Sequence, residues 1–390
     1  MGCNGKAESS GGGIDQTEWL LARMAEMRMI YHIHRRSAIL ASSLIFILAM
    51  AVFPDLALAD GSTQSEDLQP LSVAGLFESK GKTMKEVATE LVTLSEDKDI
   101  WGLDFSPDGK LLATTSPQTL AVHVWDWQNR RIMRTFERPR GSNLGVAEPI
   151  RFSPDGRLLA SCSSQSGPNN SVTRIWNAET GNVVHDIEEP NSGGCQAIAF
   201  SPDGRYLLRI VNRRAEAPED GLIIYKTTTW QPVWGLRKEL FYWRHLAISP
   251  DGKWVAVAGS TAAQPQILIV DMAQRAIVRT MQVAAERIDW SPDGAHIVVG
   301  GGKDSIMIFD ARSGELVASE KGEDGHVLVR YTPDGKYLIE SIYTKVKIWD
   351  GQHRELYQEI PAAPGSLAVS RDGHFVAMGG DKKVIVWELK

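Results

Sequence analysis

One pattern of polar and apolar positions repeats seven times between residues 88 and 390. Each copy contains a short apolar stretch, a Ser-Pro-Asp-Gly turn or a close variant, and a second apolar stretch. Proline presets φ for the second residue of a type I turn, and glycine takes the left-handed position that follows. Each copy therefore predicts a β-hairpin. The turn aspartates, spaced 38 to 48 residues apart, are Asp108, Asp155, Asp203, Asp251, Asp293, Asp334 and Asp372.

Two further strands follow each predicted hairpin. In the first copy, the third strand covers residues 122–126 and ends on an aromatic residue followed by aspartate, and the fourth covers residues 132–136. Four antiparallel strands in roughly 40 residues make one blade of a propeller. The sequence therefore predicts an all-β fold, a seven-bladed β-propeller with four-stranded antiparallel blades.

The third strands carry a recognisable dipeptide. Trp125-Asp126 and Trp349-Asp350 are intact Trp-Asp pairs, and Gly325-His326 is the one candidate for a Gly-His pair ahead of a first strand. Over about residues 88–390 the chain resembles the WD-repeat β-propeller family, which implies a propeller fold and a role in protein interaction. Degenerate forms of the dipeptide stand at Trp176-Asn177, Val270-Asp271, Phe309-Asp310 and Trp387-Glu388.

The last repeat is one strand short, because the chain stops at Lys390 after its third strand. Residues 90–94 precede the first blade and have no partner of their own. Pairing them as the outer strand of the seventh blade would close the ring and cover two open edges, which are otherwise an aggregation liability.

The N-terminal segment has the features of an export signal. Arg35-Arg36 precede an uncharged apolar run over residues 38–53, and Ala57-Leu58-Ala59 matches a cleavage site. The run is about 16 residues long, whereas a membrane-spanning helix needs roughly 20. We expect residues 1–59 to be an extension and signal peptide cleaved after Ala59, which would export the chain to the periplasm or the exterior. An uncleaved signal anchor that tethers the chain to a membrane is the alternative, and residues 60–87 are expected to be a polar linker.

Composition and motifs limit the kinds of partner and site that the sequence supports. The net charge is −6, which argues against nucleic acid as a partner because phosphate binding needs a basic footprint. The chain after Ala59 contains no Cys-x-x-Cys and no closely spaced histidine pair, so we expect neither a metal site nor a cofactor. No Gly-x-Ser-x-Gly motif occurs either, and no catalytic residue is assigned. Whether the protein is an enzyme stays open, with non-catalytic binding favoured.

The residues six and seven positions before each turn aspartate are expected to form the rim of the central channel. Charged and aromatic side chains there could grip a polar peptide or a glycan. They could equally be solvated loop charges and packed tryptophans. The candidate partner-binding residues on this rim and beside it are Trp101, Glu148, Trp243, Arg244, His245, Glu286, Arg287 and His326.

Two structural pairings are also expected. Four positions before the turn aspartates, opposite charges stand on neighbouring blades, and buried charges need partners. This predicts the interblade salt bridges Asp104–Arg151 and Asp289–Arg330. Cys162 and Cys195 fall toward the same face of adjacent blades and could form a disulfide in an oxidising compartment. They could instead be two small buried apolar side chains.

These observations support three hypotheses about function. The first is an exported, non-catalytic scaffold that binds a protein or peptide through the face with long loops on blades one to four. The second is a periplasmic ligand-binding or hydrolytic, lactonase-like propeller, with Glu148, Glu286 and His245 at the channel mouth. The third is glycan binding by Trp101 and Trp243.

Overall fold

A computed structural model describes part of the chain. The expected signal peptide and almost all of the expected linker lie outside the described residues, so both stay predictions. The described residues are 85–390, apart from 117, 120, 138–141, 144–149, 166–170, 190–191, 214–220, 238–241, 262, 302–305, 322–326, 343–344, 353–354 and 363–364.

The described residues form seven antiparallel sheets and contain no helix, which confirms the seven-bladed propeller. Blade 1 contains β2 (Gly102–Phe105), β3 (Leu111–Thr115), β4 (Ala121–Asp126) and β5 (Arg131–Glu137). Blade 2 contains β6 (Ser142–Asn143), β7 (Ile150–Phe152), β8 (Leu158–Gln165), β9 (Ser171–Asn177) and β10 (Val183–Glu189). Blade 3 contains β11 (Ser192–Phe200), β12 (Tyr206–Arg213), β13 (Gly221–Lys226) and β14 (Pro232–Arg237).

The remaining blades repeat the same order of strands. Blade 4 contains β15 (Tyr242–Ile248), β16 (Trp254–Ser260), β17 (Pro265–Asp271) and β18 (Ala276–Met281). Blade 5 contains β19 (Arg287–Trp290), β20 (His296–Gly300), β21 (Ile306–Asp310) and β22 (Leu316–Glu320). Blade 6 contains β23 (Val327–Tyr331), β24 (Tyr337–Ile342), β25 (Lys345–Asp350) and β26 (Leu356–Pro361). Blade 7 contains β27 (Ser366–Val369), β28 (Phe375–Gly380), β29 (Lys383–Leu389) and the N-terminal β1 (Ala88–Ser95).

Blades 2 and 7 each depart from the regular order of four consecutive strands. Blade 2 has a fifth strand, because the short β6 pairs with the far end of β8 while β7 pairs with its other end. In blade 7, β1 lies antiparallel to β29, with Ala88 opposite Leu389 and Ser95 opposite Lys383. Leu94 of β1 is buried in one apolar cluster with residues of blades 1 and 7. The N-terminal strand therefore occupies the outer edge of the last blade.

The core lies between the blades. Each innermost strand contacts the innermost strand of the next blade around the ring, and β2 contacts β27. The apolar clusters combine side chains from adjacent blades, as where Phe136 of blade 1 stacks on Trp176 of blade 2. Burial of such large side chains is the main favourable contribution to folding, at about 1.5–3 kcal/mol for each aliphatic or phenyl side chain.

The seven turns have the same pattern of hydrogen bonds. In blade 4, the buried Ser249 hydroxyl donates to Asp251 Oδ1 at 2.7 Å and accepts from the Trp254 N–H at 2.9 Å. Asp251 Oδ1 also accepts from the Lys253 N–H at 3.0 Å. Blade 6 has Thr332 in the role of the serine, with bonds of 2.6 and 2.9 Å. Equivalent bonds to the aspartate occur from Ser106, Ser153, Ser201, Ser291 and Ser370.

These bonds act on the aspartates as well as on the backbone. Partial burial opposes ionisation, but the hydrogen bonds from the serine hydroxyl and the backbone N–H hold the pKa of Asp108, Asp203 and Asp251 below its ordinary value. A depressed carboxyl pKa contributes stability above its unfolded value of about 3.8, and this contribution is lost as the pH falls through the folded value.

The turns of adjacent blades also contact each other and form a circle on one face, here called the turn face. Gly156 has φ of +73°, and a side chain there would meet Pro107 of blade 1 at 3.4 Å. The same relation joins Gly252 to Pro202. Glycine is therefore needed for the left-handed backbone, and the proline of the preceding turn lies in ordinary contact distance of it. The opposite face, with the loops that join second to third strands and those that lead into the first strands, is called the loop face.

We predict that Ser249→Ala lowers the free energy of unfolding by about 1–3 kcal/mol, because the Trp254 N–H loses the buried Ser249 hydroxyl as its acceptor. Ser249→Thr is the matched control, since Thr332 makes both bonds in blade 6. Urea unfolding followed by tryptophan fluorescence measures the difference. Equal midpoints for the alanine and threonine variants would show that the hydroxyl is not what holds the turn.

Candidate functional site

The innermost strands line a central channel. At its turn-face end, the position four residues before the turn aspartate faces the channel in at least six blades. These six residues are Asp104, Arg151, Ala199, Ala247, Asp289 and Arg330. The repeat therefore places one side chain from each strand into the same narrow space, and the chemistry of that space depends on which residue each repeat has there.

A cavity of about 80 Å³ lies at the loop-face end of the channel. It is lined by Trp101, Gln196, His245 and Arg287, and Arg151 and Arg330 border both this cavity and the turn-face end. One ordered water needs roughly 10–15 Å³ on the same measure, so the cavity can hold several waters or a small ligand. This cavity is the best candidate for a binding site among the described residues.

Only one of the two expected salt bridges is present. Arg330 Nη1 lies 3.3 Å from Asp289 Oδ1, and the Tyr331 N–H donates to Asp289 Oδ2 at 3.0 Å. The expectation of a direct Asp104–Arg151 pair is wrong. Asp104 Oδ2 accepts from the backbone N–H of Phe152 at 2.7 Å, and Arg151 Nη1 donates to its neighbouring Ile150 carbonyl at 2.6 Å. The two side chains make no direct ion pair, although the charge of each shifts the pKa of the other.

Burial in the channel disfavours charge of either sign, and the arginines further disfavour additional cations. Burial lowers the pKa of Arg287 to about 10, and the charges of Arg330, Arg151 and Arg244 act in the same direction. Burial and the nearby arginines lower the pKa of His245 well below its ordinary value. Burial raises the pKa of Asp104 to about 6, although the Arg151 charge opposes this shift. His245 is therefore neutral at physiological pH, and its Nδ1 accepts from the Ile288 N–H at 3.4 Å.

Three of the residues predicted for the rim line the cavity together: Trp101, His245 and Arg287. Trp101 is 42% exposed, whereas His245 is buried. Arg244 and Glu286 form an ion pair of 3.5 Å between blades 4 and 5, and the Arg244 guanidinium lies over the Tyr242 ring. Glu148 and His326, the other two of these candidates apart from Trp243, lie outside the described residues.

The assignment of Trp243 to a binding surface is wrong. The residue is in strand β15, and its side chain is fully buried in an apolar cluster with Leu222 and Leu246. Its backbone N–H donates to Asn212 Oδ1, and its carbonyl accepts from Asn212 Nδ2, both at 2.9 Å. Because the strand begins before Trp243, the side chain packs between blades 3 and 4. The glycan hypothesis keeps only Trp101 of its two tryptophans.

The sequence reasoning assigned Arg151 and Arg330 to structural pairs and missed their place at the cavity. Their sequence position indicates the channel, because both stand four residues before a turn aspartate, and the structure places that position in the channel. The distribution of long connections also differs from the expected one. Strand-to-strand connections cover 261–264 in blade 4 and 301–305 in blade 5, so the short connections are confined to blades 6 and 7, at 343–344 and 381–382.

Cys162 and Cys195 form a disulfide between blades 2 and 3, with Cα atoms 6.0 Å apart. Both side chains are buried. The bond joins the second strand of one blade to the first strand of the next, which restrains their relative position.

A metal-binding cluster and a membrane-crossing helix are both absent from the described residues. They contain no group of three or more His, Cys, Asp and Glu side chains placed to hold a metal ion. The same residues include no helix of the length and hydropathy that a membrane crossing requires.

Comparison with known families agrees with this geometry. The family model of the WD domain, G-beta repeat, matches residues 88–126, 144–177 and 362–388, which fall in blades 1, 2 and 7. The chain is therefore similar to WD-repeat β-propellers in three of its seven blades.

Two curated WD-repeat relatives are similar to the chain. An uncharacterized WD repeat-containing protein of Synechocystis is 29% identical over 146 residues, which is 37% of this chain and 40% of the relative. The WD repeat-containing protein WDS homolog of Arabidopsis thaliana is 24% identical over 315 residues, 77% of this chain and 49% of the relative. The chain thus spans less than half the length of each relative.

In this WD-repeat propeller, both intact Trp-Asp dipeptides use the indole in the same way. Trp125 Nε1 donates to Glu96 at 2.9 Å, and Trp349 Nε1 donates to the buried Glu340 at 3.0 Å. Lys347 Nζ lies 3.9 Å from Glu340. A glutamate therefore accepts the indole N–H in each of these two blades.

Glu96 gathers three donors at the loop-face end of blade 1. Besides Trp125, it accepts from the Thr114 hydroxyl at 2.6 Å and contacts His123 Nδ1 at 2.9 Å. Burial opposes ionisation of Glu96, but the bonds from His123, Thr114 and Trp125 hold its pKa below the ordinary value. The hydrogen bond to Glu96 raises the pKa of His123, although burial opposes the shift.

The signs of these shifts define a pH window. The depressed Glu96 pKa contributes stability above its unfolded value of about 4.5, and the contribution is lost as the pH falls through the folded value. The raised His123 pKa contributes stability that is complete below about 6.5 and is lost as the pH rises through the folded value. The charged pair therefore contributes most between about pH 4.5 and 6.5.

We predict that Glu96→Gln lowers the free energy of unfolding by about 1–3 kcal/mol, and by more at pH 5.5 than at pH 8. Urea unfolding at the two pH values measures both effects. Glu90→Gln is the control, because the Glu90 side chain is exposed and, among the described residues, accepts a hydrogen bond from the Thr93 hydroxyl alone. A loss from Glu96→Gln that is the same at both pH values would contradict a contribution from charged His123.

Proposed function

We propose that this WD-repeat propeller is a non-catalytic scaffold that holds a protein or peptide on its loop face. WD-repeat propellers commonly bind proteins. The observation that carries the proposal is the composition around the cavity mouth. Trp101 and Tyr242 are 42% and 46% exposed on this face, and the Arg244 guanidinium stacks on Tyr242. Tryptophan, tyrosine and arginine are the residue types that supply most binding energy at protein interfaces.

The surroundings of Glu286 and His245 favour binding over hydrolysis at the channel mouth. A hydrolytic site there would need Glu286 or His245 as an acid or base. Glu286 is paired with Arg244, and His245 is buried among three arginines that lower its pKa. A histidine in that position is a poor proton acceptor at neutral pH. We therefore favour the scaffold over the lactonase-like alternative, with no nucleic acid among its partners.

We further propose that the protein acts outside the cytoplasm, after cleavage behind Ala59. The disulfide between Cys162 and Cys195 supports this compartment, because structural disulfides persist in oxidising environments and are rare in reducing ones. Export by way of an uncleaved anchor would expose the propeller to the same environment.

The test is a crosslinking pull-down with the full chain, tagged at its C-terminus and expressed in its native cells. We predict that the wild-type bait captures a specific protein and that a Trp101→Ala, Arg244→Ala double variant loses at least tenfold of it. Both side chains are exposed, so the truncations should leave the fold intact. The intact mass of the recovered bait reports whether the chain begins at Asp60.

The matched control is Arg205→Ala, Lys253→Ala, a double variant in exposed positions of the turn face. Loss of the partner with this control and not with the first variant would move the binding surface to the turn face. Absence of any specific protein would count against the scaffold, and a bait of unprocessed mass would count against cleavage.

A further inference from the structure

Three arginines from three blades converge on the cavity at the channel mouth. Arg151, Arg287 and Arg330 line the same cavity, and each of the other two lowers the pKa of Arg287 through its charge. Like charges placed this close repel each other, and the partly enclosed channel screens them less than bulk water would. Such a cluster is unfavourable unless something of opposite charge is present.

The described carboxylates offset the cluster only in part. Burial lowers the pKa of Arg151 and of Arg287, whereas the charges of Asp104 and Asp289 act to raise that of Arg151, and the charge of Glu286 acts to raise that of Arg287. Asp289 pairs with Arg330. Asp104 accepts the Phe152 N–H at 2.7 Å, and it acts on Arg151 through its charge. Within the described part of the chain, the Arg287 guanidinium donates to the Glu286 carbonyl at 3.0 Å, whereas the Glu286 carboxylate is paired with Arg244. The channel thus holds more guanidinium charge than described carboxylate charge, and His245 adds no negative charge.

The propeller architecture does not require these arginines. The positions equivalent to Arg151 and Arg330 are Ala199, Ala247 and Ala368 in three other blades. The position equivalent to Arg287 is Gly102 in blade 1 and Leu328 in blade 6. Small and apolar residues fill the same places elsewhere in the ring, so the arginines serve something other than blade packing.

We propose that the cavity bordered by Arg151, Arg287 and Arg330 is a binding site for an oxyanion, a phosphate or a carboxylate group. Planar guanidiniums match both groups with paired hydrogen bonds, which a chloride ion cannot accept in the same way. The cavity of about 80 Å³ has room for such a group. The neutral His245 and the Gln196 side chain complete a lining that adds no described carboxylate.

The test is the thermal unfolding of the purified full chain in inorganic phosphate, in acetate and in chloride, at pH 7.5 and equal ionic strength. A ligand that binds only the folded state raises the unfolding midpoint. We expect saturating phosphate or acetate to raise it by about 2–4 °C above the value in chloride. The two oxyanion arms show which group the cavity prefers. This experiment needs no partner protein, so its outcome is independent of the proposed scaffold function.

Three variants locate the effect. Arg287→Gln should abolish the rise without lowering the midpoint in chloride, because it removes a repelled charge. Arg151→Gln, on a different blade, should weaken the rise and serves as the second variant if the first fails to fold. Asp104→Asn should preserve or increase the rise, since it removes a competing negative charge from the channel.

Arg371→Gln is the matched control, because Arg371 borders the turn-face end of the channel and bonds the Pro154 carbonyl instead of the cavity. It should keep the full response. An equal rise in Arg287→Gln and Arg371→Gln would identify a general salt effect and overturn the site. So would a wild-type midpoint that is the same in all three salts, which would mean that the cluster is neutralised within the chain.

Discussion

The hydrogen bond from a buried serine or threonine hydroxyl to the aspartate of each turn is the interaction on which the other features depend. The same hydroxyl accepts the N–H five residues later, so it fixes the register of the hairpin formed by the first and second strands. Once that register is set, the residue four positions before the aspartate must face the channel. A one-residue slip would turn it to the other face of the sheet. Seven repetitions of one local bond thus determine what the channel contains.

Because the ring is closed, the side chains that this register turns inward come together in one channel. Adjacent turns contact each other through proline and glycine, and adjacent blades share apolar clusters, so no blade can rotate alone. The antiparallel pairing of β1 with β29 puts the first strand of the described chain beside the last. Side chains from inner strands must therefore share one narrow space, whatever their charge. Asp289 and Arg330 meet because their blades are neighbours, whereas Arg151 of blade 2 and Arg287 of blade 5 line the same cavity from separate parts of the ring.

The fold could be predicted from the sequence because it depends on a repeated local motif, and the channel-facing position could be predicted from the same register. The predictions that were wrong concern the contacts of individual side chains. Asp104 bonds to the Phe152 N–H instead of the Arg151 guanidinium, a choice that no spacing reveals. Trp243 is buried because β15 begins one residue before it, and strand ends are the least certain part of a periodic pattern. Glu96 was missed because it precedes the first blade and acts on that blade only through the fold.

The two faces of the ring differ in how many of their polar groups are already hydrogen-bonded within the propeller. On the turn face, the serine and threonine hydroxyls and the aspartate Oδ1 atoms are used within the turns, and prolines fill the spaces between them. Changing these groups weakens the hairpins, so this face has little freedom to acquire a partner. On the loop face, Trp101 and Tyr242 are exposed, and the arginines at the cavity occupy positions where other blades tolerate alanine or glycine. Residues that folding does not require, on a scaffold that holds them rigidly, are free to be selected for what they bind.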